Sequence, residues 1–562
     1  MSKCLSHICQ SITLRSGRVK TCQHFFLYQR CLSGISSRIS FVPNLYVSKH
    51  QEDNNNKGEG NRNDARSTYS LQAAISLVSV GVAFLASDIT KKHRASCSVI
   101  EKSKDDPEQD HHTVEKISLA EAIEVAKDLC QCVKDENGSP GLSVAVSIDG
   151  KEVWSDGKFI IINNLYAFGY ADLENRVRCH ADTVMRIASI SKSITMTVVA
   201  KLWEAGQLDL DKPVRHYVPS WPEKMYEGKK VDITTRQLVS HLAGVRHYDK
   251  SCGKKKKREK NNKKSSEEND DKVDVERPNR KHDDGDNSRK KVRARRDDEE
   301  REFYLKRRFV NVRTALNIFK DDELCSVPGT EYLYTTHGWT LISAVVEAAA
   351  KKKFPVIMRN LFMDLGMDNT YLDETNTLIY NRARHYLKNK QGKIINAPYV
   401  DLSCKWAGGG IISTVKDLVH FGNMMLYSYQ YDPKQDNPLP EGYLKSKTVN
   451  MLWTPNKLTK CDWDPDGYYG MGWAVVTPGG QKHGQCREVT KYFSHTGSAV
   501  GGTSVLIILP RKEKVTDNDL SDSEPPHGIV VSIISNLGSC RGLSKTALRI
   551  AKLFNNVIHD AL

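Results

Sequence analysis

The tetrapeptide Ser189-Ile190-Ser191-Lys192 constrains this chain more than any other feature, because of what lies on either side of it. An extended stretch, residues 181–188, runs into it, and a helical pattern runs out of it as far as Gly206. Ile194, Val198, Val199 and Leu202 recur at helical spacing, and Gly206 can supply the left-handed residue that ends the helix. Residues three apart on a helix share a face, so this spacing sets the Lys192 amine beside the Ser189 hydroxyl. A serine at a helix start also lies close to backbone N–H groups that favour negative charge. A nucleophile, a base and an anion-friendly environment therefore fall within four residues, the opening of an active-serine acyl-transfer site.

The spacing alone is common. Five S-x-x-K matches occur: Ser155/Lys158, Ser189/Lys192, Ser251/Lys254, Ser288/Lys291 and Ser413/Lys416. Two of them fall in a charged tract that is not expected to fold. Only Ser189 has a strand pattern before it and a well-formed helix pattern after it.

A chain of 562 residues leaves room for several domains, at about 100–200 residues each. The net charge of +15 is concentrated in two places. Residues 1–51 hold seven Lys or Arg and no acid, and residues 250–302 hold 20 basic and 15 acidic residues. Together they supply 12 of the 15 net charges, so the remaining chain is nearly neutral. The basic balance is thus no argument for a nucleic-acid partner. Fourteen cysteines are scattered without a C-x-x-C pair or zinc-like spacing, so neither a disulfide framework, a metal site nor a cofactor is expected. Cys130 and Cys132 flank one residue and read either as a redox pair or as idle thiols.

The Arg- and Ser-rich, acid-free leader over 1–51 matches a mitochondrial presequence and lacks the compact apolar block of a secretory signal. A spacer over 52–111 follows. Within it Leu71–Ala86 is a 16-residue apolar run trailed by Lys91, Lys92 and Arg94, just short of the roughly 17–25 residues that span a bilayer. It reads as a short inner-membrane anchor or sorting segment, with a buried core helix as the other reading. An anchor there would leave the body in the intermembrane space. Residues 250–302 are a charged, low-complexity tract that cannot bury enough surface to offset its ordering entropy, so a solvated disordered insertion is expected. The alternative for the tract is a nuclear-localisation or polyanion-binding patch. With the tract set aside, 112–249 and 303–562 join into one body, large enough that two lobes sharing a cleft are expected.

Within that body, Val144–Ile148, Asp149-Gly150 and Val153-Trp154 read as strand, hairpin turn and return strand. Residues 158–168 then interrupt the pattern, as an insertion or a gene-model error. Four further segments carry residues that strands and helices do not require. Pro328-Gly329-Thr330 precedes Tyr334-Thr335-Thr336-His337-Gly338, which feeds a helix marked by Leu341, Val345 and Val346. Thr234 caps a helix expected to end at Gly244, by way of His241. Gly408-Gly409-Gly410 suggest backbone packed closely against something else, ahead of Ser413-Thr414 and a helix with Asp417 and Phe421. Last, Phe493-Ser494-His495-Thr496-Gly497-Ser498 leads through Gly501-Gly502 into an apolar strand, Thr503–Leu509.

In this order the motifs resemble those of the serine beta-lactamase and penicillin-binding-protein superfamily, particularly its class C branch: S-x-x-K, then Y-x-N, then K-T-G or H-x-G. The match spans roughly residues 115–555 apart from the charged tract, and includes ITTRQLVSHLAG, PGTEYLY, AGGGIISTVKDL, YGMGW and SHTGSAVGG. The fold it implies is α+β: an antiparallel sheet flanked by helices, with a second, mostly helical lobe. It implies Ser189 as the acylated nucleophile, with Lys192 and Tyr334 as the pair that takes its proton and later activates water. Either can be the base only if its pKa is lowered, since free Lys and Tyr both titrate near 10. Backbone N–H groups of Ser189 and Ser498 match the oxyanion hole, where losing a donor costs on the order of 3 kcal/mol. His495, Thr496 and Gly497 fall on the strand that positions substrate.

Two positions depart from the family pattern. His495 stands where lactamases usually carry lysine, so a fixed positive charge is lost near neutral pH. Thr336 stands where asparagine is usual, removing an amide that orients substrate. A peptidase or esterase acting on a peptide or other acyl substrate therefore fits better than antibiotic hydrolysis. The resemblance, together with the mitochondrial-type leader, further implies regulation of mitochondrial lipid metabolism and assembly into a homo-oligomer or filament. A structural polymer on a vestigial hydrolase fold is the other reading.

Overall fold

Three Val- and Ile-rich runs form the centre of a sheet because both of their faces are covered. The computed structural model describes residues 116–155, 168–248, 302–431, 440–478, 489–511 and 526–558. The leader, the spacer with its apolar segment, residues 158–167 and the charged tract up to residue 301 lie outside these. The chain divides into two units, Met1–Asp105 and Asp106–Leu562, and every described residue belongs to the second. Among the described residues no helix is long and apolar enough to cross a membrane.

The sheet has nine strands: β1 (Gly141–Ile148), β2 (Lys151–Ser155), β3 (Phe168–Asp172), β4 (Val177–Arg178), β5 (Gly467–Tyr469), β6 (Ala474–Val476), β7 (Tyr492–Ala499), β8 (Gly502–Pro510) and β9 (Gly528–Ser535). Their order is β5-β6-β7-β8-β9-β1-β3-β4, with β2 alongside β1, so the two ends of the body meet at the β9–β1 pair. The paired strands run antiparallel. Asp149 and Gly150 both take positive φ between β1 and β2, as the two-residue hairpin turn requires.

Alternation along each strand divides the apolar side chains between two cores. Leu142, Val144 and Val146 of β1, with Ile529, Val531 and Ile533 of β9, face one side. There α1 (Leu119–Glu136) and a C-terminal helix cover them, and the rings of Trp154 and Phe554 stack 6.2 Å apart. The capping box of Ser118 and Glu121 starts α1. Val530 and Ile534 of β9, with Leu506 and Ile508 of β8, face the other core.

That second core holds α2 (Ser191–Glu204), α3 (Thr336–Ala350), α4 (Phe354–Asp364) and α5 (Val415–Gln430). The helix closing the first core is α6 (Leu543–Phe554). Helix α5 lies so near the sheet that a Cβ on Gly422 would meet Val530 Cγ1 at 2.4 Å. Helix α2 is buried on nearly every side, as a helix at the centre of a large core must be. The helical lobe thus shares its core with the sheet.

Several expected boundaries shift. The strand before Ser189 is only Met185–Arg186, paired with Ile412 and Ser413. Ile187 N–H still bonds to Ile411 O of that partner strand, and at Ala188, with its positive φ, the backbone turns into a 3-10 helix, Ala188–Ile190. The helix capped by Thr234 ends at Val239, well before Gly244, because His241 itself takes a positive φ. Cys130 is buried and Cys132 exposed on α1, a spacing at which helix side chains do not face one another. Cys325 is disulfide-bonded, which the scattered cysteine spacing did not announce.

Candidate active site

Ser189 occupies the middle of the 3-10 turn, and the turn is braced from several directions. The Ser191 hydroxyl donates to Ala188 O at 2.6 Å, and the Ser504 hydroxyl of β8 donates to Ile187 O at 2.7 Å. Ala188 sits at φ +48°, a left-handed conformation that non-glycine residues hold only when surroundings enforce it. No side chain caps α2 behind the turn, and the backbone of the turn itself takes up the Ser191 N–H, so the positive end of the helix dipole lies next to Ser189. The spacing argument survives the change of helix type, since residues i and i+3 eclipse on a 3-10 turn as well.

Lys192 Nζ lies 3.0 Å from Ser189 Oγ and donates to Gly408 O at 2.5 Å. The side chain is wholly buried. Burial first, and the nearby Lys405 charge second, hold its pKa well below the ordinary lysine value. Tyr334 sits on the loop before α3, its ring 4.8 Å from Lys192 Nζ. Burial pushes its phenol up, although a hydrogen bond with Ser189 pulls the other way. Of the two residues offered as the base, only Lys192 therefore has the lowered pKa that the role requires.

A cavity of about 280 Å³ opens over this pair. Ser189, Tyr334, Thr336, Thr496 and Ser498 all line it, so five of the eight expected site residues share one cavity wall. Thr336 opens α3, and its N–H donates to His247 Nδ1 at 3.2 Å. Thr496 and Ser498 lie two apart on β7, and alternation puts both on the cavity side.

Lys192, His495 and Gly497 are the three expected site residues that do not line the cavity, although His495 and Gly497 lie on the same strand as Thr496 and Ser498. The His495 ring is fully buried, with Nε2 3.0 Å from the Tyr469 hydroxyl and Nδ1 2.7 Å from Thr496 O. Burial and the Lys192 charge push its pKa down to about 3 against a backbone hydrogen bond to Thr496. It is neutral at ordinary pH, so no positive charge replaces the lysine usual at this position. Gly497 acts through its lack of a side chain: a Cβ there would lie 2.2 Å from Ile187 O and 2.3 Å from Ser504 Oγ. The glycine run serves the same end, for a Cβ on Gly408 would meet Thr336 Cγ2 at 2.9 Å.

Sequence reasoning missed Lys405, His247, Tyr248, Phe303 and Trp463, which also line the cavity. Tyr248 and Phe303 flank the charged tract, and Lys405 stands three residues before Gly408. Those positions were the available signals. His241 is a further omission: its Nδ1 accepts from Thr335 N–H at 3.0 Å and its ring lies 4.2 Å from that of Tyr334. The accepted bond fixes the proton on Nε2. Among the described residues no group of three His, Cys, Asp or Glu is arranged to hold a metal ion.

The beta-lactamase family model matches residues 125–550. The chain is 48% identical over 454 residues to serine beta-lactamase-like protein LACTB, mitochondrial, of Homo sapiens, covering 78% of this chain and 80% of that one. To the protein of the same name from Bos taurus it is 49% identical over 462 residues, with 78% and 80% covered. Among solved structures, the octameric penicillin-binding protein homologue from Pyrococcus abyssi superposes with a TM-score of 0.52 at 19% identity, covering 77% of this chain and 78% of that one, a likeness of fold. Matched by the family model across the whole site and by these relatives over most of its length, the chain belongs to the beta-lactamase family.

Proposed function

We propose that this protein is a serine peptidase acting through a covalent acyl-enzyme on Ser189. The observation that carries the proposal is the contact of a buried, proton-poor Lys192 amine with the Ser189 hydroxyl at 3.0 Å. Neutral Lys192 accepts the Ser189 proton as Oγ attacks the acyl carbon, and the carbonyl electron pair moves onto oxygen. Backbone N–H groups of Ser189 and Ser498 receive that oxyanion. The tetrahedral intermediate collapses, the leaving nitrogen takes a proton through Lys192 and Tyr334, and water repeats the sequence to free Ser189.

An esterase using the same residues is the second reading, and Thr336 favours keeping it. Its N–H is engaged by His247 and its side chain offers no amide to orient a peptide bond. Placement in the mitochondrion is supported by the names of the relatives and by the leader. The intermembrane space and inner-membrane association rest on the apolar segment behind that leader. A part in mitochondrial lipid metabolism and assembly into filaments rest on the resemblance alone.

The test is labelling of the purified protein with a fluorophosphonate, with the adduct mapped by mass spectrometry and Ser189→Ala as control. A Ser189-dependent adduct is expected. If wild type and Ser189→Ala label alike, the hydrolase reading falls and a structural polymer on the fold takes its place. Peptide and ester libraries then decide between the two hydrolase readings.

A further inference from the structure

Lys405 lines this cavity and Lys192 lies beneath it against Ser189; both are buried, and the peptidase reading uses only Lys192. Lys405 precedes the short helix Trp406–Gly409, and its carbonyl accepts from Gly408 N–H at 3.1 Å and Gly409 N–H at 2.9 Å. The Gly408 carbonyl in turn accepts from Lys192 Nζ. A single turn of backbone therefore carries one lysine and anchors the amine of the other.

Their surroundings are unequal. Lys405 Nζ donates to Phe303 O at 3.0 Å, lies 3.4 Å from the Tyr248 hydroxyl, and faces both rings at 4.5 and 5.3 Å from their centres. Two aromatic faces and a carbonyl favour an ammonium. Lys192 faces one ring, that of Tyr334. Among the described residues neither lysine has a carboxylate partner. Two like charges in a water-poor site oppose each other, and the better-caged group keeps its proton.

We propose that Lys405 is a positioning residue: its caged ammonium, held on the same turn whose Gly408 carbonyl anchors Lys192, adds to burial in favouring the neutral amine that serves Ser189, an inference resting on Lys192 being the base. The other titratable neighbours do not supply that charge. His241, His247 and His495, from the segments following the Thr235–Val239 helix and from β7, are buried and held neutral, and Tyr334 on the loop before α3 is held as a phenol. Glu302 is engaged with Arg246 and His337, and Asp462, also on the cavity wall, is exposed. Beside Lys405, burial keeps Cys404 a thiol and Tyr248 a phenol, while Tyr304 adjoins it and Arg186 adds further positive charge. Lys405, pushed down to about 8 by burial, still holds its proton near neutrality.

The sign follows directly. Lys192 acts when deprotonated, so removing a positive neighbour raises its pKa and moves the acylation profile to higher pH. The experiment measures fluorophosphonate acylation of Ser189 against pH in wild type, Lys405→Met and Lys405→Arg. Competitive acetylation of Lys192 by trace acetic anhydride, read by peptide mass spectrometry, gives the same midpoint without relying on activity. Both midpoints are expected to rise by about one unit in Lys405→Met, a tenfold change in the neutral fraction, and to return in Lys405→Arg. An unmoved midpoint in Lys405→Met, or an equal rise in Lys405→Arg, overturns the assignment. If Ser189 fails to label in wild type, the hydrolase reading fails while acetylation still decides whether Lys405 sets the Lys192 proton.

Discussion

Gly497 on β7 rests directly against Ile187 on the turn that carries Ser189, so close that a Cβ on the glycine would lie 2.2 Å from the Ile187 carbonyl oxygen. This contact docks the strand bearing Thr496 and Ser498 onto the turn that carries Ser189. Ser504 completes it, facing Gly497 in the β7–β8 register and donating to the same carbonyl.

Gly497→Ala should therefore push β7 away from the turn. Backbone cannot yield as a flexible side-chain end can, so a cost of about 1–3 kcal/mol is expected from overpacking. Thermal unfolding should show that loss. Fluorophosphonate labelling should fall by more than the unfolded fraction explains, because the Ser189 and Ser498 N–H groups separate. Labelling that tracks the folded fraction alone would show that the contact serves stability only.

Lys192→Met tests the base while keeping an apolar stem of similar length. Proton transfer by a positioned base contributes typically 10²–10⁴-fold, so labelling of Ser189 should slow by about that factor. The fold should persist, since a methionine in this wholly buried position carries no charge to desolvate. Circular dichroism and the labelling rate together check it; wild-type labelling would move the role of base elsewhere.

The two sides of the charged tract are joined by a clasp. Arg246 Nη1 and Nη2 donate to Glu302 at 2.8 and 3.0 Å, and Arg246 Nε donates to Asp322 at 2.6 Å. His337 adds a third contact to Glu302 at 3.0 Å. Burial opposes the Glu302 charge, but hydrogen bonds from His337 and Arg246 win and bring its pKa from 4.5 to about 2. A depressed carboxyl contributes stability that is full above its unfolded pKa and lost as pH falls through the folded one. The window is thus about pH 4.5 down to 2. Glu302→Gln should cost on the order of 2 kcal/mol at neutral pH, less than a fully broken buried pair because Asp322 still serves Arg246. Its unfolding free energy should also fall less steeply than that of wild type across that window, as urea titrations against pH would show.

The parts of the site that sequence exposes are those whose chemistry is local. Ser189 and Lys192 lie within one turn, and their geometry follows from spacing whichever helix type forms. Asp149-Gly150 announces its hairpin for the same reason. Lys405 is invisible by this route, because its meaning comes from Tyr248 and Phe303, which the 54 residues between them separate in sequence. His495 is legible only in part: the motif places it on the strand beside the site, but that its ring packs between Tyr469 and Trp463 is decided by the tertiary arrangement alone.

Restoring the lysine usual to the third motif should harm this protein. His495→Lys would place an ammonium in a pocket enclosed by Tyr469 and Trp463. An unpaired buried ion costs several kcal/mol even after relaxation, so a large fall in melting temperature is expected rather than new lactamase activity. The pH response of wild type gives a second reading of the same pocket. The His495 pKa falls from 6.5 in the unfolded chain to about 3 in the folded one. Its neutral form is the one the fold favours, so this contribution is full above pH 6.5 and is lost progressively as pH drops toward 3. His495→Gln should remove that part of the acid sensitivity while leaving a polar group for Tyr469. If His495→Lys instead melts with wild type, the pocket must open to water and the neutral-histidine account of the third motif is wrong.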